Sequence, residues 1–200
     1  MNLKGGTLRI IAGEFRGRRI AVPSHGTRPM ADRVRESLFA VLEPRIAGAH
    51  VADLCAGSGA VGIEALSRGA ARATFFEQAR DAITVIHANL AALQLEARSI
   101  VIGDDVISAL DRTSAPFDLI VADPPYEDRS LAERIMDRCA TGGGPLAESG
   151  LLALTGRARP GGLPRPLPDG LRWVRTLTYG DSSVDLLARG ASVEAEAEHE

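Results

Sequence analysis

The sequence predicts an α/β fold: a mostly parallel sheet covered on both faces, preceded by a small β-hairpin and closed by an antiparallel pair of strands. Three observations predict it. From residue 50 onward, short apolar runs alternate with amphipathic helical stretches, and such alternation forces crossover connections and parallel strands. A glycine-rich turn follows the first of those runs, the place where open α/β sheets take ligands. Near the end, residues 172–178 and 184–188 form two β-rich runs around a short turn, which gives an antiparallel closing pair.

The elements follow in order. Residues 8–13 and 18–22 read as two strands of a hairpin around a turn at 14–17, and 23–29 as a loop. Over residues 31–42, Val34, Leu38, Val41 and Leu42 recur at the spacing of one helical face, and Pro44 ends the helix. A buried-type strand at 50–54 leads through the glycine-rich turn to a helix over 60–68. Gly69 sits where a helix C-terminal glycine belongs. Then come a strand at 73–77, a helix at 79–93, a strand at 99–103 and a short helix reaching 110. A strand at 117–122, a helix at 131–140 and a strand at 151–155 complete the alternation. Residues 157–170 are rich in Pro, Gly and Arg and read as a loop. Residues 191–200 carry four glutamates and read as a disordered acidic tail. The chain thus divides into a basic hairpin extension (1–29), one main domain (30–190) and the tail.

Composition narrows the class. With 200 residues, 45% hydrophobic and 24% charged, the chain can bury a core without disulfides or metal. Cys55 and Cys139 fit no metal-ligand spacing, and a reducing cytoplasm is the simple expectation. No apolar run approaches a membrane span, and residues 1–6 form no signal peptide. The net charge of −3 hides an asymmetry: residues 1–35 hold eight Lys or Arg against Glu14 and Asp32, so this segment is +6 and the remainder −9. A basic segment on an acidic body suits a polyanion approached from one side; the plain alternative is a solvated basic face.

The first candidate site is Asp53-Leu54-Cys55-Ala56-Gly57-Ser58-Gly59-Ala60-Val61-Gly62. Glycines there let the backbone turn sharply and let a ligand come close. The G-x-G-x-x-G match is weak by itself. Asp53, four residues before Gly57, suits a cationic ligand or the hydrogen bonding of a loop that cradles one; its structural alternative is a turn acid. Glu77 ends the second strand, twenty residues after Gly57, where an acid can accept both hydroxyls of a ribose. Asp104 and Asp105 end the third strand. One can accept from an adenine amino group and the other can cap the following helix.

The second site is Asp123-Pro124-Pro125-Tyr126, delivered by the fourth strand to the same sheet edge. The prolines stiffen the backbone and remove two amide donors, leaving the Asp123 carboxylate and backbone carbonyls. Such an acceptor-rich pocket takes both hydrogens of an NH₂ group. That suits methylation of an exocyclic base amine, whose lone pair is otherwise delocalised into the ring. Tyr126 offers a flat face for an unstacked base. Outside this setting, Pro-Pro-aromatic reads as a rigid turn.

With these residues in place, the sequence resembles class I S-adenosylmethionine-dependent methyltransferases, whose fold is Rossmann-like. Within them it resembles the bacterial small-subunit ribosomal RNA guanine-N2 methyltransferases of the RsmD type. The resemblance runs from about residue 8 to 188. It rests on Arg9-Ile10-Ile11-Ala12-Gly13, Arg16-Gly17-Arg18, Arg28-Pro29, Asp32-Arg33-Val34-Arg35-Glu36-Ser37-Leu38-Phe39, the glycine-rich turn, Glu64 to Ala70, and Asp123 to Tyr126. It implies that Asp53, Gly57 and Gly59 line the methionine part of S-adenosylmethionine, with Cys55, Ala56 and Ser58 also at the cofactor. Glu77 would hold the ribose and Asp105 the adenine amino group, with Gln78 and Asp104 also at the cofactor. Asp123, Pro124, Pro125 and Tyr126 would hold the target guanine, and S-adenosylhomocysteine would be the product. Arg9, Arg16, Arg18, Arg19, Arg28, Arg33 and Arg35 would contact 16S rRNA, in a partly or fully assembled small subunit. A cytoplasmic monomer without metal is expected. Met30, Ala31, Glu14, Cys55 and Gln78 depart from residues frequent in the family at those places.

Cys55 reads as a small packing residue rather than a nucleophile, the four histidines form no cluster, and Trp173 and Phe75 read as core. Three rival readings remain. A DNA adenine-N6 methyltransferase also suits Asp-Pro-Pro-Tyr, but 200 residues leave little room for a DNA-recognition domain. A nicotinamide dehydrogenase would leave that motif unexplained. A non-catalytic RNA-binding assembly factor would not need a full set of donor and acceptor residues.

Overall fold

The computed structural model describes residues 6–24, 30–113, 115–158 and 166–190. Within them a hairpin of β1 (Thr7–Arg9) and β2 (Arg19–Ala21) precedes α1 (Asp32–Leu42). The main sheet is built from β3 (His50–Leu54), β4 (Arg72–Phe76), β5 (Ser99–Ile102), β6 (Phe117–Ala122), β7 (Leu146–Arg157), β8 (Leu171–Tyr179) and β9 (Ser182–Arg189). Helices α2 (Ala60–Ser67), α3 (Arg80–Leu93), α4 (Val106–Asp111) and α5 (Arg129–Ala140) connect them. The strand order is β5-β4-β3-β6-β7-β9-β8. The first five strands of that order run parallel, and β9 pairs antiparallel with both β7 and β8.

Register fixes where the site falls. Leu54 pairs with Phe76 and Ala122, Phe76 with Ile102, and Ala122 with Leu154. Five parallel strands therefore reach the same level, and the residues just beyond them, including Cys55, Glu77 and Asp123, share one edge. Both faces are dry. Leu54, Ala122, Leu152 and Leu154 pack against α4 and α5. Val51, Val121 and Ala153 pack against α1 and α2 through Leu38, Phe39, Leu42, Val61 and Ala65.

The N-terminal hairpin is shorter than the expected 8–13 and 18–22; its first strand stops early because the next amides find partners outside the strand pair. Ile11 and Ala12 donate to the two oxygens of Glu64 at 2.8 and 3.0 Å. Ala21 donates to Asn89 Oδ1 at 2.8 Å. Ser67 Oγ accepts from Phe15 N at 3.0 Å and donates to Ala12 O at 2.6 Å. Ile10 and Ile20 meanwhile bury against Ile63, Leu66, Phe75 and Leu90. The hairpin is thus bolted to α2 and α3. β7 is longer than the expected 151–155, since its early part pairs with β6 at Phe117 before a register shift. Trp173, expected in the core, is 44% exposed; it stands on edge strand β8, where a register shift between Trp173 and Arg175 interrupts the ladder. Phe75 is fully buried. The expected acidic tail lies outside the described residues.

Candidate active site

The glycine-rich turn leaves β3 in a left-handed path: Cys55, Gly57 and Gly59 have φ of 60°, 55° and 76°. Gly59 precedes the first turn of α2, and a Cβ there would sit 3.2 Å from the Phe75 ring. Both the backbone angle and the space therefore call for glycine. Asp53 and Glu77 hold the turn from either side. Asp53 Oδ2 accepts from Gly62 N at 2.9 Å, and Glu77 Oε2 accepts from Gly57 N at 2.7 Å. The other oxygen of Glu77 accepts from Gln78 N and Ala79 N, both at 2.9 Å. Glu77, expected only as a ribose acceptor, thus also ties the turn to the end of β4. Ala56, Gly57, Ser58 and Gly59 are buried, Cys55 is half-buried, and Gln78 is exposed.

Asp53, Glu77 and Asp123 place three carboxylates around this turn. Burial raises Asp53 well above the ordinary carboxylate range, reinforced by the charges of Asp123 and Glu77 and opposed by the Gly62 amide. Burial likewise raises Asp123, opposed by its hydrogen bond from Thr155. Burial together with Glu77, Asp123, Asp53 and Asp128 pushes the Cys55 thiol up to about 12. A thiol so held is protonated at neutral pH and is no nucleophile. A crowd of buried acids with no ion-pair partner among the described residues fits a ligand that carries positive charge.

Asp123 takes its place through two strands. Its amide donates to Leu54 O at 3.2 Å, and its Oδ1 accepts from the Thr155 hydroxyl of β7. Its other oxygen has no hydrogen bond among the described residues. Tyr126 is 36% exposed, and its hydroxyl donates to Ser182 Oγ at 3.1 Å, at the start of β9. Beside it, a cavity of about 100 Å³ opens against α5, lined among others by Pro124, Pro125, Tyr126, Arg129, Thr155 and Arg157.

At the end of β5 the two aspartates part company. Asp105 caps α4, accepting at Oδ1 from Ser108 N and Oγ, both at 3.0 Å. Asp104 Oδ1 accepts from Asp105 N at 2.7 Å, and its Oδ2 pairs with Arg112. The helix-capping role therefore falls to Asp105.

The basic segment divides too. Arg9, Arg16, Arg18, Arg19 and Arg33 are exposed; Arg28 lies outside the described residues. Arg18 reaches Ala92 O at 2.7 Å and lies over the Phe15 ring at 5.9 Å. Arg35 departs from expectation. Its side chain is 2% exposed, with Nη2 donating to Arg9 O at 2.6 Å and to Asp32 Oδ1 at 3.0 Å. It faces the protein, where the apolar positions of α1 bury, and staples α1 to the hairpin instead of reaching outward for a phosphate.

Spacing did not point to three buried residues here. Thr155 touches Asp123. Glu64 anchors the hairpin and accepts from Arg68 Nε at 2.8 Å. Asn89 spans hairpin and turn: its Nδ2 donates to Ala21 O and to Ser58 O, both at 3.0 Å. The polar Asn89 on the apolar face of α3 was the one readable signal.

A five-strand parallel run closed by an antiparallel β9, with a glycine turn after β3 and Asp-Pro-Pro-Tyr after β6, gives the chain the fold of the class I methyltransferases. The chain belongs to the family described as Conserved hypothetical protein 95, whose model matches residues 8–188. Among curated proteins it is similar to Ribosomal RNA small subunit methyltransferase D of Escherichia coli (strain K12). The two are 44% identical over 131 residues, covering 65% of this chain and 66% of that protein, just under two thirds of its length. The protein of the same name from Haemophilus influenzae is 39% identical over 135 residues, 64% of this chain and 68% of that one. Among solved structures, the yhhF protein of Escherichia coli superposes with a TM-score of 0.83 at 37% identity, covering 93% of this chain and 99% of that chain. The Thermus thermophilus 16S rRNA N2 G1207 methyltransferase RsmC, solved with AdoMet and guanosine, shares the fold with a TM-score of 0.66 at 22% identity. That likeness covers 93% of this chain and 50% of that one.

Proposed function

We propose that this chain transfers the methyl group of S-adenosylmethionine to the exocyclic N2 amine of a guanine in small-subunit ribosomal RNA. The observation that carries the reading is the shared sheet edge. An amide-lined glycine turn ringed by Asp53 and Glu77 lies next to Asp123, one of whose oxygens has no partner among the described residues. The donor supplies an electrophilic methyl on a sulfonium and leaves as S-adenosylhomocysteine. The buried acids fit its two cationic groups, the sulfonium and the ammonium, because each carboxylate regains the counter-charge that burial withholds.

The residues of the chain do the rest by position and electrostatics. Asp53 and Glu77 hold the turn (Cys55, Ala56, Gly57, Ser58, Gly59) in the shape that cradles the donor. Glu77 stands at the ribose and Asp105, besides capping α4, at the adenine amine, with Gln78 and Asp104 next to them in sequence. Asp123 accepts from the guanine amine, which moves electron density onto nitrogen and aims its lone pair at the methyl; the N–C bond forms as the S–C bond breaks, and the methylated nitrogen then sheds its extra proton through Asp123 to water. Pro124 and Pro125 keep competing amide donors out of the pocket, and Tyr126 supplies the stacking face. The exposed Arg9, Arg16, Arg18, Arg19 and Arg33 approach the phosphates, with Arg28 beside them in sequence.

The identities to two proteins named for ribosomal RNA of the small subunit support RNA over DNA as substrate. They favour small-subunit ribosomal RNA over the DNA adenine-N6 alternative. A nicotinamide-dependent reading leaves Asp123 to Tyr126 without a task. The substrate is a partly or fully assembled small subunit, met by a monomer in the cytoplasm.

The test is in vitro transfer of labelled methyl to small-subunit particles, free 16S rRNA and duplex DNA, with the modified nucleoside read by mass spectrometry. N2-methylguanosine from the particles is the expected product. Labelled N6-methyladenosine in DNA, or no transfer to any RNA, would overturn the proposal.

A further inference from the structure

We infer that Thr155 is a positioning residue for the acceptor half of the reaction, fixing which oxygen of Asp123 meets the base amine. The inference rests on the reading of Asp123 given above and extends it to a residue that carries no motif. Its basis is geometric. Thr155 follows the last β7 residue paired with β6, at Ala122–Leu154, so it lies directly across from Asp123. On its other side it pairs with Val184 of β9. It is 6% exposed, and its hydroxyl donates to Asp123 Oδ1.

Three consequences follow. A threonine on a strand has few χ1 choices, so its hydroxyl is set before substrate arrives. With Oδ1 occupied and the amide of Asp123 tied to Leu54 O, the carboxylate cannot rotate freely, and Oδ2 is the oxygen left to accept from the amine. A hydroxyl donor also favours the ionised form. That matters here because no cation pairs with Asp123 among the described residues. The titratable groups on its sheet edge are Asp53 on β3, Cys55 in the turn and Glu77 after β4; the adjoining cavity adds Asp128, Arg129 and Glu133 at α5, Arg157 on β7 and Asp185 on β9, and neither arginine forms an ion pair with Asp123 among the described residues. Thr155 is the one described side chain that donates to this carboxylate, opposing its burial. An aspartate that took a proton would present a donor to an NH₂ group that must itself donate, and the base would be turned away.

The variants Thr155→Val, Thr155→Ser and Thr155→Ala separate this role from packing, with Asp123→Ala as reference. Val keeps the shape and lacks the hydroxyl; Ser keeps the hydroxyl and lacks the methyl. Losing one hydrogen bond to a charged group predicts a fall in kcat of roughly ten- to a hundredfold for Thr155→Val. Affinity for S-adenosylhomocysteine should be unchanged, and the acid limb of the pH–rate profile should move to higher pH. Thr155→Ser should restore most of kcat and the parent limb. A carboxyl-carbon NMR titration of Asp123 reads the same displacement without turnover. If Val proves unstable, the Ser and Ala pair carries the comparison. Parent-like kcat and titration in Thr155→Val, or equal losses in Val and Ser with an unmoved acid limb, would overturn the inference while Asp123→Ala stays inactive. Full activity in Asp123→Ala would instead overturn the function reading beneath it.

Discussion

Asn89→Ala should loosen the hairpin and the cofactor turn together. Asn89 is 4% exposed on the buried face of α3. It makes three hydrogen bonds: from Ala21 N at 2.8 Å, and to Ala21 O and Ser58 O at 3.0 Å. At about 1 kcal/mol for each bond, the loss is roughly 3 kcal/mol before any relaxation. For a domain near this size that lowers Tm by about 6–12 °C. The functional share arises because the Ser58 carbonyl belongs to the turn that cradles the donor. If about one bond's worth is drawn from donor binding, affinity for S-adenosylhomocysteine falls several-fold, up to roughly tenfold. Thermal melts with and without S-adenosylhomocysteine, together with calorimetric titration, measure both parts. Asn89→Asp keeps the acceptor, sets a charge against two carbonyls, and should be no better than alanine. A Tm within about 2 °C of the parent, with unchanged affinity, would refute the claim that this side chain couples hairpin and turn.

Other outcomes follow from the same geometry. In Gly13→Ala the new Cβ would lie 1.8 Å from Ser67 O at a φ of +82°, so the hairpin must lift off α2. Limited proteolysis should then cut near residues 13–18 in the variant and spare the parent. Asp53 is raised by burial and neighbouring acids, so the folded chain keeps a proton that the unfolded chain releases at lower pH. Its contribution therefore costs stability as pH climbs from the ordinary carboxylate value through the raised one. Asp53→Asn should raise Tm at neutral pH, lose the gain in acid, and abolish donor binding. At mildly acidic pH, between the ordinary and the raised value, donor binding to the parent should release protons, seen as a heat that depends on the buffer; equal heats in all buffers there would contradict this. Removing the exposed Arg16 or Arg33 should flatten the salt dependence of RNA binding by about one unit of slope each. Arg35→Met should leave that slope intact and alter Tm instead, because Arg35 bonds Arg9 O and Asp32.

Most of the fold was legible because its signals are periodic. The strands at 50–54 and 117–122 fall where their apolar runs lie, and α1, α2 and α3 match their predicted spans to within one or two residues. The first hairpin strand ended early because the amides of Ile11 and Ala12 bond Glu64, a partner more than fifty residues away that no local pattern announces. At the site, the acids and glycines were legible because turn geometry and charge restrict residue type. Thr155 was not, because threonine is an ordinary strand former and only strand order brings it beside Asp123. Arg35 misled for the opposite reason: sequence shows that a charge exists, and only packing shows which way it points.

A crystal structure with S-adenosylhomocysteine and guanosine bound tests the central claim most directly. The donor sulfur should lie over the Cys55–Gly59 turn, and the guanine N2 should sit about 3 Å from the free oxygen of Asp123, its ring on Tyr126. A donor bound away from that turn, or a guanine whose amine faces solvent while another atom meets Asp123, would contradict it.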